Sequence, residues 1–151
     1  MDESSYPGPR RPMLAAQLRL ASEACHEMVF ACLRARGFGD LRQSHYDLFR
    51  FPGPQGRTPS EIAAHVGLSK QALNPLLNEL EAMRYIKRVM NPSDGRSRTV
   101  TLTRRGLRLV AAIKNALDEL EQAAEAEIGS KRYAIMLDAA ARVRDVARRQ
   151  I

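Results

Sequence analysis

A chain of 151 residues with 44% apolar residues can bury the core of one ordinary domain without staples. No apolar run approaches the roughly 18 residues of a membrane span, and the opening MDESSYPGPRRP lacks the apolar stretch of a signal peptide, so a cytoplasmic location is expected. Two cysteines without a C-x-x-C argue against a disulfide framework or a zinc ribbon, and a net charge of +7 favours a polyanionic partner.

Residues 1–12 hold Pro7, Pro9 and Pro12 with no apolar period and read as a flexible arm. Residues 13–36 run without glycine or proline. Leu14, Leu18, Ala21, Cys25, Met28 and Cys32 recur at spacings of three or four, which predicts a helix. Leu20, Ala24 and Ala31 widen that stripe, so the helix should pack on more than one neighbour. Gly37 and Gly39 end it. A shorter helix follows over 41–51, with Leu41, Leu48, Phe49 and Phe51 as candidate core, and FPGPQGR closes it.

Thr58-Pro59-Ser60-Glu61 carries three concordant helix-start signals: a capping threonine, a proline at the first helical position and a glutamate that completes a capping box. Gly67 supplies a tight turn, and Ser69 caps a second helix that runs to about Arg84. Its apolar side is Leu73, Leu76, Leu77, Leu80 and Met83. Its polar side shows Gln71, Asn74 and Asn78, with Ser69 and Lys70 at the start. A short helix, a glycine turn and an amide-rich second helix form the helix-turn-helix pattern, because Asn and Gln can read adenine edges in the major groove. An ordinary helical hairpin with a solvated face gives much of the same pattern. Pro75 sits in the second turn, where it cannot donate to residue 71. Either a local bend or a helix that starts late, near Asn74, would accommodate it.

Next, Tyr85 to Met90 alternates weakly as a strand. Asn91-Pro92-Ser93-Asp94-Gly95 is turn chemistry, and Ser97 to Leu102 is a second strand. A two-stranded ribbon directly after such a helix is a wing. Between Arg84 and Arg105 there are seven basic residues, and Asp94 is the only acid there. Arg96 and Arg98 at the wing suit the focused negative potential of a minor groove.

Asp94-Gly95-Arg96-Ser97-Arg98, then Thr99-Val100-Thr101-Leu102-Thr103, then Gly106 resemble the wing of the MarR family of bacterial transcription regulators, which reads D-x-R-[SA], a strand, L-T, two residues and G. Ser69-Lys70-Gln71-Ala72-Leu73 and Leu77-Asn78-Glu79-Leu80-Glu81 also resemble that family's recognition helix. The resemblance implies a mainly α winged helix-turn-helix fold: about six helices and a two-stranded β wing, dimerising through N- and C-terminal helices. It implies a homodimer on a pseudo-palindromic operator, often a repressor released by a small aromatic or phenolic ligand. Carried over residue by residue, Arg96 enters the minor groove, Asp94 braces the wing by pairing with an arginine, and Arg98 is a phosphate candidate. Ser69, Lys70, Gln71, Asn74 and Asn78 face the major groove or its phosphates. A pocket between the first two helices and the winged domain could take an effector through His26, His45, Tyr46 and Arg50, although packing explains His45 and Tyr46 as easily.

Thr103 caps a long predicted helix over 104–128 with a stripe of Leu107, Val110, Leu117, Leu120, Ala124 and Ile128. Gly129 stops it. A last helix carries Tyr133, Met136, Leu137, Ala140, Val143, Ala147 and Ile151 on one face. These stripes need the first helix or a partner chain as cover. The domain boundaries expected are an arm at 1–12, N-terminal helices at 13–57, the winged unit at 58–106 and dimerisation helices at 107–151. His26, His45 and His65 join no metal-ligand motif, and no nucleotide or nucleophile motif is present, so neither a cofactor, a metal nor enzymatic activity is expected. Cys25 and Cys32, seven apart on one helix, read as small buried residues, with a redox role open only through a single thiol or an inter-subunit bond. Two other readings stay open: a winged-helix protein adapter or non-specific DNA-binding protein, and, less favoured, the dimerisation module of an enzyme.

Overall fold

The computed structural model describes residues 13–49, 53–91 and 94–149, and the side chains among them other than those of 91–97. The chain divides into two compact units, Cys32–Asn115 and the described parts of Met1–Ala31 with Ala116–Ile151.

Two long helices run through both units. Helix α1 spans Leu14–Ala35. It ends where expected, with Gly37 at φ 85° and Phe38 N–H donating to the Leu33 carbonyl at 3.0 Å. Glycine meets that left-handed position at no steric cost. The helix expected over 41–51 is shorter. A single α turn, α2 (Gln43–Tyr46), tightens at once into a 3-10 turn at Asp47–Phe49. Leu41 lies before it yet is buried, and His45, Tyr46, Leu48 and Phe49 turn inward together.

Helices α3 (Pro59–Val66) and α4 (Lys70–Ala82) form the helix-turn-helix, joined through Gly67 at φ 72°. Leu73, Leu77 and Leu80 of α4 are fully buried against Ile62 and Ala63 of α3 and other core residues. Each such leucine contributes roughly 1.5–3 kcal/mol of burial. The i, i+4, i+7 spacing of these leucines is what fixes the inward face of α4 and leaves the amide-rich face outside.

Strand β1 (Ile86–Asn91) pairs antiparallel with β2 (Asp94–Leu102), in register from Ile86 opposite Leu102 to Met90 opposite Arg98. Tyr85, Ile86 and Val100 seal the base of this ribbon. A short third rung comes from ahead of α3: Gly56 N–H donates to the Val100 carbonyl and Val100 N–H to that of Arg57, both at 2.8 Å. The wing is thereby sewn to the segment that enters the helix-turn-helix.

Helix α5 (Arg104–Ile128) has 25 residues, about 37 Å of helix. Three residues of the stripe expected to need the first helix or a partner chain as cover stay open. Leu107, Val110 and Leu117 remain 57%, 38% and 37% exposed, while Leu109, Ala112 and Ile113 are buried. The helix is apolar on two sides, and periodicity cannot tell which side its own chain covers. In the second unit, α6 (Ser130–Arg148) has no buried residue at all. Half-buried positions there include Tyr133 on α6 and Ala124 and Ile128 on α5.

Candidate nucleic-acid interface

The start of α3 is fixed by the expected capping box. Glu61 N–H donates to Thr58 Oγ1 at 3.3 Å, and Glu61 Oε2 accepts from the Thr58 N–H at 2.7 Å and from its hydroxyl at 2.8 Å. These bonds, the backbone one first, hold the Glu61 carboxyl below the usual carboxylate range. The start of α4 is fixed by Ser69, whose Oγ accepts from Ala72 N–H at 3.1 Å. The hydroxyl proton of Ser69 stays available for a ligand, but its acceptor is engaged in the cap.

Lys70, Gln71 and Asn74 are exposed together along the outer face of α4. Pro75 lies among them, also exposed. The helix is continuous from Lys70 to Ala82 and contains Pro75, so the late start near Asn74 is overturned. Proline leaves only the Gln71 carbonyl without its intrahelical donor, and on an exposed face water can serve it. Asn78 is exposed too, but its Oδ1 accepts a hydrogen bond from the Arg88 guanidinium. Arg88 also ties to Glu81, through its N–H to Oε1 at 2.9 Å and Nε to Oε2 at 3.4 Å. Strand β1 thus engages the amide oxygen of Asn78.

Behind α4, a polar cluster joins it to α2. The Arg42 N–H donates to His45 Nδ1 at 3.2 Å, which leaves Nε2–H for Glu79 Oε2 at 2.8 Å. His45 is 2% exposed. The Arg42 guanidinium binds the same carboxylate. The Arg42 bond first, then that of His45, pulls the Glu79 carboxyl below its ordinary range.

A second cluster anchors the base of the wing. Tyr85 OH donates to Asp40 Oδ1 at 2.6 Å, and Arg105 reaches Asp40 Oδ2 at 2.8 Å, the Met83 carbonyl at 3.0 Å and Tyr85 OH at 3.0 Å. The Arg105 guanidinium stands 4.4 Å over the Tyr85 ring. Burial, then the hydrogen bond to Asp40, pushes the Tyr85 phenol up to about 12. Thr103 Oγ1 accepts from Gly106 N–H at 3.1 Å, and Thr103 N–H donates to the Tyr85 carbonyl at 3.0 Å. This packing leaves no room above Gly106, where a Cβ would stand 2.0 Å from the Tyr85 carbonyl oxygen.

The other expected site residues are placed as follows. Arg98 is exposed on β2. Arg96 and Asp94 lie on β2, but their side chains, like all of Arg50, fall outside the described residues. His26 is half-buried on α1, and Tyr46 is buried beside His45. A cleft of about 240 Å³ next to α2 is lined by Ser44, Asp47, Val66, Leu68, Ala72 and Leu76 rather than by His45 or Tyr46. The roles of Asp40, Glu79, Tyr85, Arg88 and Arg105 carried no sequence signal: partners such as Asp40 and Arg105 stand 65 positions apart. Among the described residues, no cluster of His, Cys, Asp and Glu could hold a metal ion, and no helix is long and apolar enough to cross a membrane.

Residues 41–97 match the model of the MarR family. No curated protein sequence matches the chain. Solved structures do. The S. aureus MepR–DNA complex is 20% identical with a TM-score of 0.70, covering 90% of this chain and 99% of that one. The transcriptional repressor CouR bound to a 23-mer DNA duplex is 23% identical with a TM-score of 0.68, covering 87% and 92%. S. aureus MepR bound to ethidium bromide is 21% identical with a TM-score of 0.62, covering 90% and 97%. Residues 41–97, which hold the helix-turn-helix and the first part of the wing, are thus similar to the MarR family, and the chain shares the fold of these solved structures.

Proposed function

We propose that this protein is a cytoplasmic, non-enzymatic transcriptional regulator that binds duplex DNA as a homodimer at a pseudo-palindromic operator, in the manner of a repressor. The observation that carries the reading is the outer face of α4. Lys70, Gln71 and Asn74 are exposed on a capped helix whose opposite side is fixed by three fully buried leucines, with the wing tied to the same helix through Arg88. An amide face held that rigidly suits base-edge reading, and Lys70 suits a phosphate. Arg98, exposed on β2, extends the cationic surface, and the family resemblance gives Arg96 the minor-groove role. The names of the solved relatives, CouR and MepR with DNA, support the same reading.

Dimerisation is supported by what the second unit leaves uncovered. Leu14, Leu18, Leu20, Ile135, Leu137 and Val146 are 45–59% exposed on α1 and α6. A helix of 19 residues without one buried side chain needs a partner surface. A two-fold pair would set two α4 helices about one DNA turn apart. Release by a small aromatic ligand fits the MepR–ethidium complex, with His26, His45, Tyr46 and Arg50 as the residues to vary.

The test is binding to DNA from around the protein's own gene across salt concentrations. A dimer neutralising about eight phosphates gives a log–log slope near −7. Asn74→Ala changes sequence preference, while Lys70→Ala weakens all sequences alike and flattens the slope. Equal affinity for every duplex would replace this reading with a non-specific binder or protein adapter.

A further inference from the structure

The end of α4 closes with a backbone anomaly. Tyr85 N–H donates to the Leu80 carbonyl and Arg84 N–H to that of Glu81, both at 2.9 Å, a termination that requires a left-handed residue between. That residue is Arg84, at φ 62°, the one described non-glycine residue with positive φ. A side chain there is strained by roughly 1 kcal/mol relative to glycine. The strain is local, and strain of this kind is often kept where the side chain has work to do.

The Arg84 side chain borders an open cleft of about 440 Å³ whose cationic residues are Arg84, Lys87, Arg104 and Arg105. Ile86, almost fully buried, closes its base, and the aliphatic stems of the basic residues supply its apolar walls. Arg105 is neutralised by Asp40. The one carboxylate on the cleft, Glu81, is paired with Arg88. Among the described residues, no acceptor is bonded to the side chains of Arg84, Lys87 or Arg104. Three uncompensated cations therefore converge on an apolar recess, at a cost in self-repulsion.

The position separates this recess from the reading face. Arg84 lies past the end of α4 at Ala82, and Asn74 to Ala82 alone spans about 12 Å of helix. It adjoins the joint at which Thr103 and Arg105 hold the carbonyls of Met83 and Tyr85. We propose that the cleft formed by Arg84, Lys87, Arg104 and Ile86 binds a small amphipathic organic anion, a phosphate monoester or carboxylate on an apolar body. The charged group sits among the three unpaired cations and the body lies along their aliphatic stems above Ile86. Binding at the root of the wing rather than on α4's outer face makes this a site separate from the groove contacts.

Calorimetry of the full chain with phenyl phosphate, at constant ionic strength and without DNA, tests it. Saturable one-site binding is expected. Arg84→Gly removes a cation and the strain together, so the variant melts no lower than the parent yet binds phenyl phosphate about tenfold more weakly, the loss typical of one charge-assisted contact. Lys87→Ala with Arg104→Ala weakens it further. Absence of saturable binding by the parent protein, or unchanged affinity in Arg84→Gly, overturns the proposal. Displacement of phenyl phosphate by a short non-specific duplex also overturns it, because the cations would then be a DNA-backbone contact. None of these outcomes depends on operator recognition, which the salt-dependence assay measures separately.

Discussion

Gly106→Ala is the substitution for which helix propensity and this structure make opposite predictions. Gly106 occupies the third position of α5, and in an exposed helix the change to alanine stabilises by about 1 kcal/mol. Here the added Cβ would stand 2.0 Å from the Tyr85 carbonyl oxygen and 3.1 Å from Leu102 Cδ2. An ordinary carbon–oxygen contact needs more than 3 Å, so β1 or α5 must move by more than 1 Å. That carbonyl accepts the Thr103 N–H and faces the Thr103 hydroxyl, and the same joint carries the Arg105 bonds to Met83 and Tyr85. Losing two such bonds costs roughly 1 kcal/mol each, and overpacking adds roughly 1–3 kcal/mol. Against the gain of about 1 kcal/mol, the net destabilisation is about 2–4 kcal/mol. Urea unfolding followed by circular dichroism measures it as a lower midpoint at unchanged slope. A midpoint equal to or above that of the parent would refute the claimed close approach of α5 to the base of the wing.

Other expectations follow from the same contacts. Thr58→Ala removes the α3 cap and lowers stability by about 1 kcal/mol in chemical unfolding at neutral pH. The folded-state pKa values of Glu61 and Glu79 lie below their ordinary value of 4.5, so their contribution is complete above that value and is lost as pH falls through the folded values. Glu79→Gln should therefore show a flatter acid limb in a stability–pH profile, and an unchanged limb would remove the Arg42–Glu79–His45 cluster from the account. Tyr85 has the opposite sign. Its folded value, about 12, is above the ordinary 10, so its contribution is complete below about pH 10 and declines towards pH 12. Tyr85→Phe should abolish that alkaline loss, and ultraviolet titration should show one fewer late-ionising tyrosine in the variant than in the parent. Ile135→Asp with Leu137→Asp should convert a sedimenting dimer to monomer while leaving the helical signal of the winged unit; a stable parental monomer at micromolar concentration would remove the dimer from the proposed function.

The local sequence carried the elements whose physics is local. Thr58, Pro59 and Glu61 announced the start of α3, Gly37 and Gly67 their turns, and Leu73, Leu77 and Leu80 the inward side of α4, because caps, left-handed turns and a 3.6-residue period act within a few residues. The wing motif from Asp94 to Gly106 was legible for the same reason. Tertiary packing decided the rest. It showed that α4 runs unbroken through Pro75, since the lost bond falls on the exposed side, and that α5 buries Leu109, Ala112 and Ile113 rather than Leu107, Val110 and Leu117. It tied Asn78 to Arg88 and Tyr85 to Asp40 and Arg105, pairings between distant positions that no periodicity encodes. The outer face of α4, within residues 58–106, was visible in the sequence. What holds that face in place, the carbonyl of Tyr85 against Gly106 and the carboxylate of Glu79 behind α4, exists only once segments far apart in the chain are brought together.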